Sequence, residues 1–600
     1  MIIDFFASLS FYFIPYLTGR FFTKKIVQAW IMGAFIWFIL YFLLAEILVL
    51  LKIDGFSGLI RFLAIVISTF SLIDFLNSYR VKKPKINLSK DLIHLFLLSF
   101  ASLVYFLIWK RNTPYPLQLD WDMYEHITLA NIISSGNLSF LTTKISDTFT
   151  INSYSPFFEI LLSLPKIVFQ RGLIGIYWWL EYWHFILTVL ASFLIAKKFF
   201  QDKWIAIFCA IISTLVFESL IAYSSLFLIP QTLVALITVF VFKDIKEYKP
   251  FFLLISCLII LLMHYFVGAL SLVVLALGFN GSSYRFKSKH LNLGIFIATL
   301  IMIIFLALNL KTSWQVLGIE EARHFTFSLW QKIGFLVDWY GISLFIFAVL
   351  GYMGILKKGN QYQKLLLIIA LLIFGLSLAP FSYFLKLYVL GGYFVDLILA
   401  LGIWLLIRNL STVLKVVSLT FLTFVFIITF YKNQLVYKQP LHFKSFETQI
   451  SFEEIEAGKW LKLHSNGNQF LISDPSLQYV LEAESGVNTQ GGAYMSLTTR
   501  EALMEINGSR DPEFIKSKIL SIKDLIPSEN KPGRKTLFVV GGRYFAWQML
   551  SRGEKESTFN NIWSPKLIKD EDRAYIDFLS HTKEFKMIYK NDELVIFEVI

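Results

Sequence analysis

Three carboxylates and one imidazole lie within seven consecutive residues of this chain: Asp120, Asp122, Glu125 and His126. A carboxylate that is partly removed from water can act as a general base near neutral pH, because desolvation raises its pKa. Asp120 and Asp122 form an Asp-x-Asp pair, so one of them could instead hold a divalent cation such as Mg²⁺ or Mn²⁺ through hard oxygen contacts. The alternative is a solvated loop end in which Asp122 caps a helix.

The acidic cluster opens a segment, 110–172, that is only moderately polar. Residues Asp122–Ser134 are predicted to form a short helix ended by Ser135-Gly136, and Phe157–Val168 a second one after Tyr154-Ser155-Pro156. Asp122, Glu125 and His126 would share one helix face, since residues three and four apart are neighbours. Two short helices along a membrane surface fit this segment better than disorder does.

The composition predicts a polytopic α-helical membrane protein. Of 600 residues, 56% are hydrophobic and 16% are charged, and the mean hydropathy is +0.63. A span needs roughly 20 apolar residues to cross the hydrocarbon, which gives about fourteen spans here. The pair of runs around His264 could also be one long tilted helix. The apolar runs lie near 3–19, 26–51, 56–77, 91–109, 173–196, 204–221, 223–242, 251–263, 265–279, 292–310, 333–356, 364–380, 386–407 and 412–430.

Basic residues fall on alternate sides of these runs. They concentrate in segments 20–25, 80–85, 197–203, 243–249, 285–289 and 357–364, which the positive-inside rule assigns to the cytoplasm. This loop bias accounts for the net charge of +13, so a nucleic-acid partner is not expected. Cys209 and Cys257 lie inside apolar runs and predict neither a disulfide framework nor a zinc site. The first residues lack a basic region and cleavage site, so no removable signal peptide is expected.

This topology predicts two domains. A transmembrane domain, 1–430, carries outer loops 110–172 and 311–332, and an extracytoplasmic α/β domain occupies 431–600. In the second domain, strands are predicted at Gln469–Ser473, Thr536–Val540, Phe585–Tyr589 and Glu593–Val599, the last two forming a hairpin. Helices are predicted at Phe452–Leu463, Ser476–Glu484 and Thr499–Ile506. The protein is thus expected to be a multi-pass membrane protein with its C-terminal domain outside, and its Ile-, Phe- and Lys-rich usage indicates a prokaryotic cell membrane.

Several motifs together resemble GT-C-type membrane glycosyltransferases of the poorly characterised prokaryotic branch. The string Asp122-Met-Tyr-Glu-His126 and the later Tyr154-Ser-Pro-Phe-Phe-Glu159 resemble that superfamily's first outer loop. His264-Tyr-Phe-Val-Gly268 resembles its mid-chain helix end with a histidine, and Lys386-Leu-Tyr388 a late span in which Arg is usual. Ile472-Ser-Asp474-Pro475 resembles the opening of its outer domain. The tail has no Trp-Trp-Asp-Tyr-Gly string, which argues against an oligosaccharyltransferase.

The resemblance implies transfer of a sugar from a polyprenyl-phosphate donor to a glycan, lipid or protein acceptor on the outer face of the bilayer. Asp122 is then the first candidate for general base and Asp120 the second, with Glu125 and His126 beside them. A divalent metal at Asp120 and Asp122 is an option, and no other cofactor is expected. Phosphate is already a good leaving group, so a protein acid is not required.

Substrate binding is expected to use residues elsewhere in the chain, chosen by their type and by the side of the membrane on which they fall. Outer-side cations suited to a phosphate are Arg323, His324 and Lys386, the last followed by Tyr388, unless they belong to a solvated amphipathic helix. Glu181 and His184, three residues apart within a span, would mark a pathway through the bundle. His264 is either a further site residue or a satisfied structural histidine.

Two other classes of protein remain open from the sequence. A transporter or flippase for lipid-linked glycans should show inverted repeats and polar residues near the middle of the bilayer. This chain instead gathers its acids at the outer boundary and adds a folded domain there. A non-catalytic subunit of an envelope assembly would keep the fold and lose the chemistry.

Overall fold

The computed structural model describes residues 1–51, 55–81, 115, 121–134, 156–215, 228–283, 346–377, 387–411, 413–414, 416–418, 420–421, 451–465, 469–489, 502–503, 505–506, 509–524, 535–541 and 570–600. In the first part of the chain these form α1 (Ile2–Gly19), α2 (Ile26–Leu51), α3 (Phe56–Val81), α4 (Trp121–Ser134), α5 (Phe157–Phe169), α6 (Leu173–Phe200), α7 (Lys203–Leu215), α8 (Pro230–Lys243), α9 (Pro250–Met263), α10 (Tyr265–Ser283), α11 (346–358), α12 (Gln361–Ser377) and α13 (Tyr388–Ile407).

The apolar runs predicted from the sequence coincide with helices wherever the structure describes them. In that part of the chain, five helices are long and apolar enough to cross a membrane: α1, α2, α3, α6 and α13. The expected count of about fourteen spans is therefore not confirmed. Helices such as α8 and α9 have 14 residues, which corresponds to about 21 Å against a hydrocarbon core of about 30 Å. The predicted runs 91–109 and 292–310 lie outside the described residues.

Helices α1 and α2 pack backbone against backbone at two glycines. A Cβ built on Gly33 would lie 1.7 Å from the carbonyl oxygen of Pro15, and one on Gly19 would lie 1.7 Å from that of Ala29. Such close approach is possible only without a side chain. In lipid there is no hydrophobic force to bring helices together, so the dispersion contacts that this close approach allows stabilise the pair. The indole of Trp37 then reaches across to donate a hydrogen bond to Thr18 Oγ1 at 2.9 Å.

Helices α9 and α10 form a hairpin that turns at His264. The α10 residue Gly278 lies against Phe242 and Ile245, so α10 returns to the end of the bundle from which α9 starts. The Nδ1 atom of His264 accepts a hydrogen bond from the Val267 backbone at 3.2 Å and thereby caps α10. A Cβ at Gly268 would lie 2.6 Å from the Ile260 carbonyl oxygen, so the turn requires glycine there. The two runs are separate helices rather than one long tilted one.

The basic loops gather at one end of the bundle. Lys25 forms an ion pair with Glu247 at 3.0 Å, and Lys198 approaches Asp244 within 3.7 Å. Gln363 donates to the Phe199 carbonyl at 3.2 Å. The basic loops that follow α1, α6, α8 and α11 therefore lie at the same end of the bundle, as the predicted alternation of loops requires.

A small mixed sheet forms the C-terminal part of the structure. The strands are β1 (Gln469–Ile472), β2 (Asn488–Thr489), β3 (Lys535–Gly541), β4 (Phe585–Lys590) and β5 (Leu594–Val599), in the order β2-β1-β3-β5-β4. β1 runs parallel to β2 and β3, whereas β5 is antiparallel to β3 and β4. The predicted small C-terminal α/β unit and its final hairpin are present.

Successive side chains of β3 point to opposite faces of the sheet, and helices cover both faces. Phe538 and Val540 pack with helices α16 (Pro512–Asp524) and α17 (Asp570–Ser580). Leu537 and Val539 pack with α14 (Phe452–His464) and α15 (Pro475–Ser485). Helices α16 and α17 were not predicted from the sequence. The predicted domain boundary at 430/431 lies outside the described residues and remains a prediction.

Candidate functional site

The two short helices predicted in segment 110–172 are both present. α4 spans Trp121–Ser134 and α5 spans Phe157–Phe169, each within one residue of the prediction. α4 buries Tyr124, Ile127 and Ala130, which recur at helical spacing and anchor one face to the bundle. α5 is buried over most of its length. Both helices are therefore packed elements rather than loose surface segments.

A short hydrogen bond joins α4 to α5. His126 Nδ1 lies 2.6 Å from Glu159 Oε1, and the side chain of Glu159 is 1% exposed while that of His126 is 12% exposed. The His126 ring also meets Phe158 edge to face, with ring centroids 5.2 Å apart. When Nδ1 carries the proton and donates it to the carboxylate, Nε2 is left as an acceptor. Glu159 thus fixes the orientation and tautomer of the imidazole.

Glu159 is a site residue that the sequence analysis did not select. It appeared there only as the last residue of the string Tyr154–Glu159. The available signal was a lone carboxylate in an otherwise apolar helix, Phe-Phe-Glu-Ile-Leu-Leu, since a charge in such a position is kept only with a partner. The identity of that partner, 33 residues earlier, was not readable from the pattern.

Asp122 lies in the first turn of α4, one helical turn before His126. Residues four apart on a helix have Cβ atoms about 6 Å apart, so Asp122 and His126 are neighbours on one face. The side chain of Asp122 and the whole of Asp120 lie outside what the structure describes. Among the described residues no group of three or more His, Cys, Asp or Glu side chains could hold a metal ion. A metal at Asp120 and Asp122 stays a prediction.

The remaining predicted residues occupy different parts of the bundle. Glu181 and His184 are fully buried on α6, in keeping with side chains that face the bundle interior. Tyr388 is fully buried at the start of α13. His264 caps α10 at the hairpin turn, and its role as a site residue stays a prediction. Arg323, His324 and Lys386 lie outside the described residues.

A cavity of about 680 Å³ opens at the other end of α4, under the C-terminal sheet unit. The amide of Asn131 connects its walls: it donates to the Ala483 carbonyl at 2.7 Å and accepts from Lys166 Nζ at 2.7 Å. Ser57 on α3 donates to the Ser134 carbonyl at 2.8 Å. The described residues that line the cavity do not include any that the sequence analysis selected. It is therefore a second polar site, separate from the acidic cluster.

Two side chains of this cavity have pKa values that are shifted to about 7 and about 8. Burial, reinforced by the nearby charge of Lys462 and opposed by Glu484, lowers the pKa of Lys166 to about 8. Burial raises the pKa of Glu482 to about 7, against a hydrogen bond from Thr489. Both groups therefore change charge near neutral pH. As the pH rises, Lys166 loses a positive charge and Glu482 gains a negative one, so the cavity becomes less positive.

The sequence matches no protein-family model, and no curated protein sequence matches it. Its structure is similar to that of the oligosaccharyltransferase of Archaeoglobus fulgidus in the apo form, at 12% identity and a TM-score of 0.51, over 78% of this chain and 72% of that chain. A second structure is the archaeal oligosaccharyltransferase AglB from Archaeoglobus fulgidus in complex with an inhibitory peptide and a dolichol-phosphate, at 12% identity and TM-score 0.48, over 77% of this chain and 71% of that chain. A third is the Archaeoglobus fulgidus oligosaccharyltransferase tethered to an acceptor peptide that contains the NVT sequon, at 11% identity and TM-score 0.49, over 78% and 71%. The first of these likenesses shows that the chain shares the fold of that oligosaccharyltransferase, which agrees with the GT-C-type fold that its motifs predict.

Proposed function

We propose that this protein is a membrane glycosyltransferase that moves a sugar from a polyprenyl-phosphate carrier to an acceptor on the outer face of the membrane. The observation that carries the proposal is the GT-C fold over 78% of the chain, together with an acid-bearing helix, α4, held against that fold. Fold alone does not define chemistry, so the named side chains carry the rest of the argument. The acceptor is left open between glycan, lipid and protein.

In the proposed reaction an acceptor oxygen attacks the anomeric carbon of the sugar. The bond from that carbon to the phosphate oxygen breaks, and the electron pair leaves with the lipid phosphate. The acceptor proton passes to the carboxylate of Asp122, acting as general base. Arg323, His324 and Lys386 are the proposed cations for the departing phosphate, because cationic side chains form strong hydrogen bonds to phosphate oxygens.

His126 and Glu159 act as positioning residues in this scheme. Their hydrogen bond fixes α4 against α5 one turn from Asp122. A displacement of about 1 Å in a reacting group can lower a rate about 100-fold, so a rigid support for the base has a direct effect on transfer. Glu181 and His184 are proposed to face the substrate path within the bundle.

The proposed orientation follows from charge. The basic loops meet at the end of the bundle marked by Lys25, Lys198 and Glu247. The positive-inside rule assigns that end to the cytoplasm. Ala483, in the sheet unit, contacts α4 at the opposite end, which is then outside.

The test is transfer by the Asp122→Asn variant. Purified protein in nanodiscs is incubated with lipid-linked sugars extracted from the producing cells, and free polyprenyl phosphate and glycosylated acceptor are measured. Loss of a positioned base lowers the rate by about 100- to 10,000-fold. Asn keeps the size and most of the helix-capping capacity of Asp, so folding and donor binding should be unchanged. Glu456→Gln, at an exposed position on α14, is the matched control.

The same experiment separates the alternatives. Full transfer by Asp122→Asn contradicts Asp122 as base and makes Glu181 or Glu125 the next residues to replace. In proteoliposomes, which keep the two faces of the bilayer apart, movement of lipid-linked sugar across the bilayer without transfer identifies a flippase. If neither activity is present and an envelope polymer is still lost on deletion, the chain is an assembly subunit. Asp120→Asn should have a smaller effect, or make transfer sensitive to divalent ions if Asp120 holds a metal.

A further inference from the structure

The cavity beneath the sheet unit lies where two spans end. Ser57 and Arg61 come from the first turns of α3, and Leu173 is the first residue of α6. Both helices are long and apolar enough to cross a membrane. The cavity is thus placed at the depth where the phosphates of lipid head groups lie.

Its charged lining favours an anion. Four cationic side chains converge on it from three directions: Arg61 from α3, Lys166 and Arg171 from α5 and its C-terminal end, and Lys462 from the sheet unit. Two carboxyl groups, Glu482 and Glu484 on α15, also line it. Burial raises the pKa of both carboxyl groups, and that of Glu482 reaches about 7, so Glu482 is only partly ionised near neutral pH.

An apolar surface leads away from the cavity along α3. Only 17% of the residues in the apolar window of α3 are buried within the protein, so most of this apolar helix is open to contact with acyl chains. Phe62 is 62% exposed and Ile65 is 48% exposed, directly after Arg61. Since Arg61 and Ile65 are four residues apart, they share a helix face. A molecule with a charged head and apolar chains would match this arrangement.

We propose that the cavity binds the phosphate-bearing head group of an anionic membrane lipid, with the acyl chains of that lipid lying along α3. A cavity of about 680 Å³ can hold such a head group. Arg61 and Arg171 contact the phosphate from the membrane side, and Lys462 from the sheet unit. Since its walls come from both parts of the chain, the bound lipid holds the sheet unit to the bundle.

This site differs from the proposed place of reaction. The acidic cluster occupies the start of α4, and the cavity is lined by Thr128, Asn131 and Ser134 from its second half. Asp122 lies six residues before Thr128 and twelve before Ser134, which is about 9 to 18 Å along the helix axis. In this proposal the lipid in the cavity is distinct from the sugar donor and is a constituent of the surrounding membrane.

Native mass spectrometry of the full-length protein in detergent tests the proposal without reference to transfer. The probes are phosphatidylglycerol, the uncharged lipid diacylglycerol of the same chain length, and inorganic phosphate at millimolar concentration. We expect the protein to retain one phosphatidylglycerol in preference to diacylglycerol, and inorganic phosphate not to displace it. Arg61→Gln and Lys462→Gln should each weaken retention by about tenfold, the effect of one charged hydrogen bond. Lys462 is exposed, so its replacement should preserve the fold.

The matched control is Arg408→Gln, which removes the same charge from an exposed position at the opposite end of the bundle. This variant should bind phosphatidylglycerol like the unmodified protein. Equal retention of diacylglycerol overturns an anion site, as does an equal loss in Arg408→Gln. Displacement by inorganic phosphate overturns the lipid as the source of the anion and identifies a site for a soluble one. None of these outcomes depends on whether the protein transfers sugar.

Discussion

The hydrogen bond between His126 and Glu159 should hold α4 in place, and its removal should loosen that helix measurably. The change is Glu159→Ala, with His126→Ala and the double variant to complete a thermodynamic cycle. Glu159 is 1% exposed and lies 2.6 Å from the His126 ring nitrogen. Its removal leaves the imidazole without this partner in a site that admits little water.

The expected size follows from burial and geometry. A hydrogen bond to a charged group contributes about 1.5–3 kcal/mol, and the 12% exposure of His126 allows water to offset a small part. We therefore expect a coupling free energy of about 2 kcal/mol between the two residues. The free-energy cost of the cavity that Glu159→Ala leaves cancels in the thermodynamic cycle, because the double variant contains the same cavity. A loss of 2 kcal/mol corresponds to about 30-fold easier opening of α4.

Hydrogen–deuterium exchange of the peptides that cover Trp121–Ser134 measures this opening directly in nanodiscs. Exchange should accelerate by about 30-fold in Glu159→Ala and in His126→Ala, and little further in the double variant. Peptides from α13 should be unchanged, and Glu456→Gln serves as the control for a glutamate replaced at an exposed position. Transfer should fall at least tenfold in parallel, since the base lies on the loosened helix.

Additive effects of the two single changes would refute this reasoning. They would show that each residue stabilises α4 through other contacts and that Glu159 does not position His126. Unchanged transfer with a loosened α4 would instead separate the helix from the chemistry. That result would remove the positioning role and leave the structural one.

Three further predictions concern other parts of the molecule. Gly33→Ala should lower the Tm strongly, because its Cβ would lie 1.7 Å from a backbone oxygen of α1, whereas Gly58→Ala, with open space around it, should leave the Tm equal or higher. Retention of phosphatidylglycerol should weaken as the pH rises from 7 to 9, because Lys166 has its pKa near 8 and loses its positive charge over that range; retention that is constant with pH would contradict this. In a background without Cys209 and Cys257, a reagent confined to the outer face should label a cysteine at Glu456 but not one at Asn360, and the reverse result would invert the topology.

The fold class and the local elements near the acidic cluster were predictable from sequence. Helix α4 was predicted within one residue because Ser135-Gly136 is a strong stop signal and the apolar spacing before it is regular. Four of the five strands of the C-terminal unit were predicted, because each is short, rich in apolar residues and bounded by polar turns, whereas the two-residue strand β2 was missed. Helix α16 was missed, although Pro512 at its first position is a common start signal. Helix α17 was missed as well, and all of these predictions depend on information held within about ten neighbouring residues.

What only the tertiary structure decided involves residues far apart in the chain. The partner of Glu159 depends on how α4 and α5 pack, and the cavity needs α3, α5 and α15 to meet. The sequence did not decide whether the chain reverses at His264, since the same run of apolar residues is compatible with one long helix or with two. The close approach of Gly268 to Ile260 shows that there are two helices. Local pattern sets which segments are helices and which face is apolar, because those preferences act between near neighbours. Which polar groups meet is set by long-range packing, because a buried charge keeps its place only where the folded chain supplies its partner.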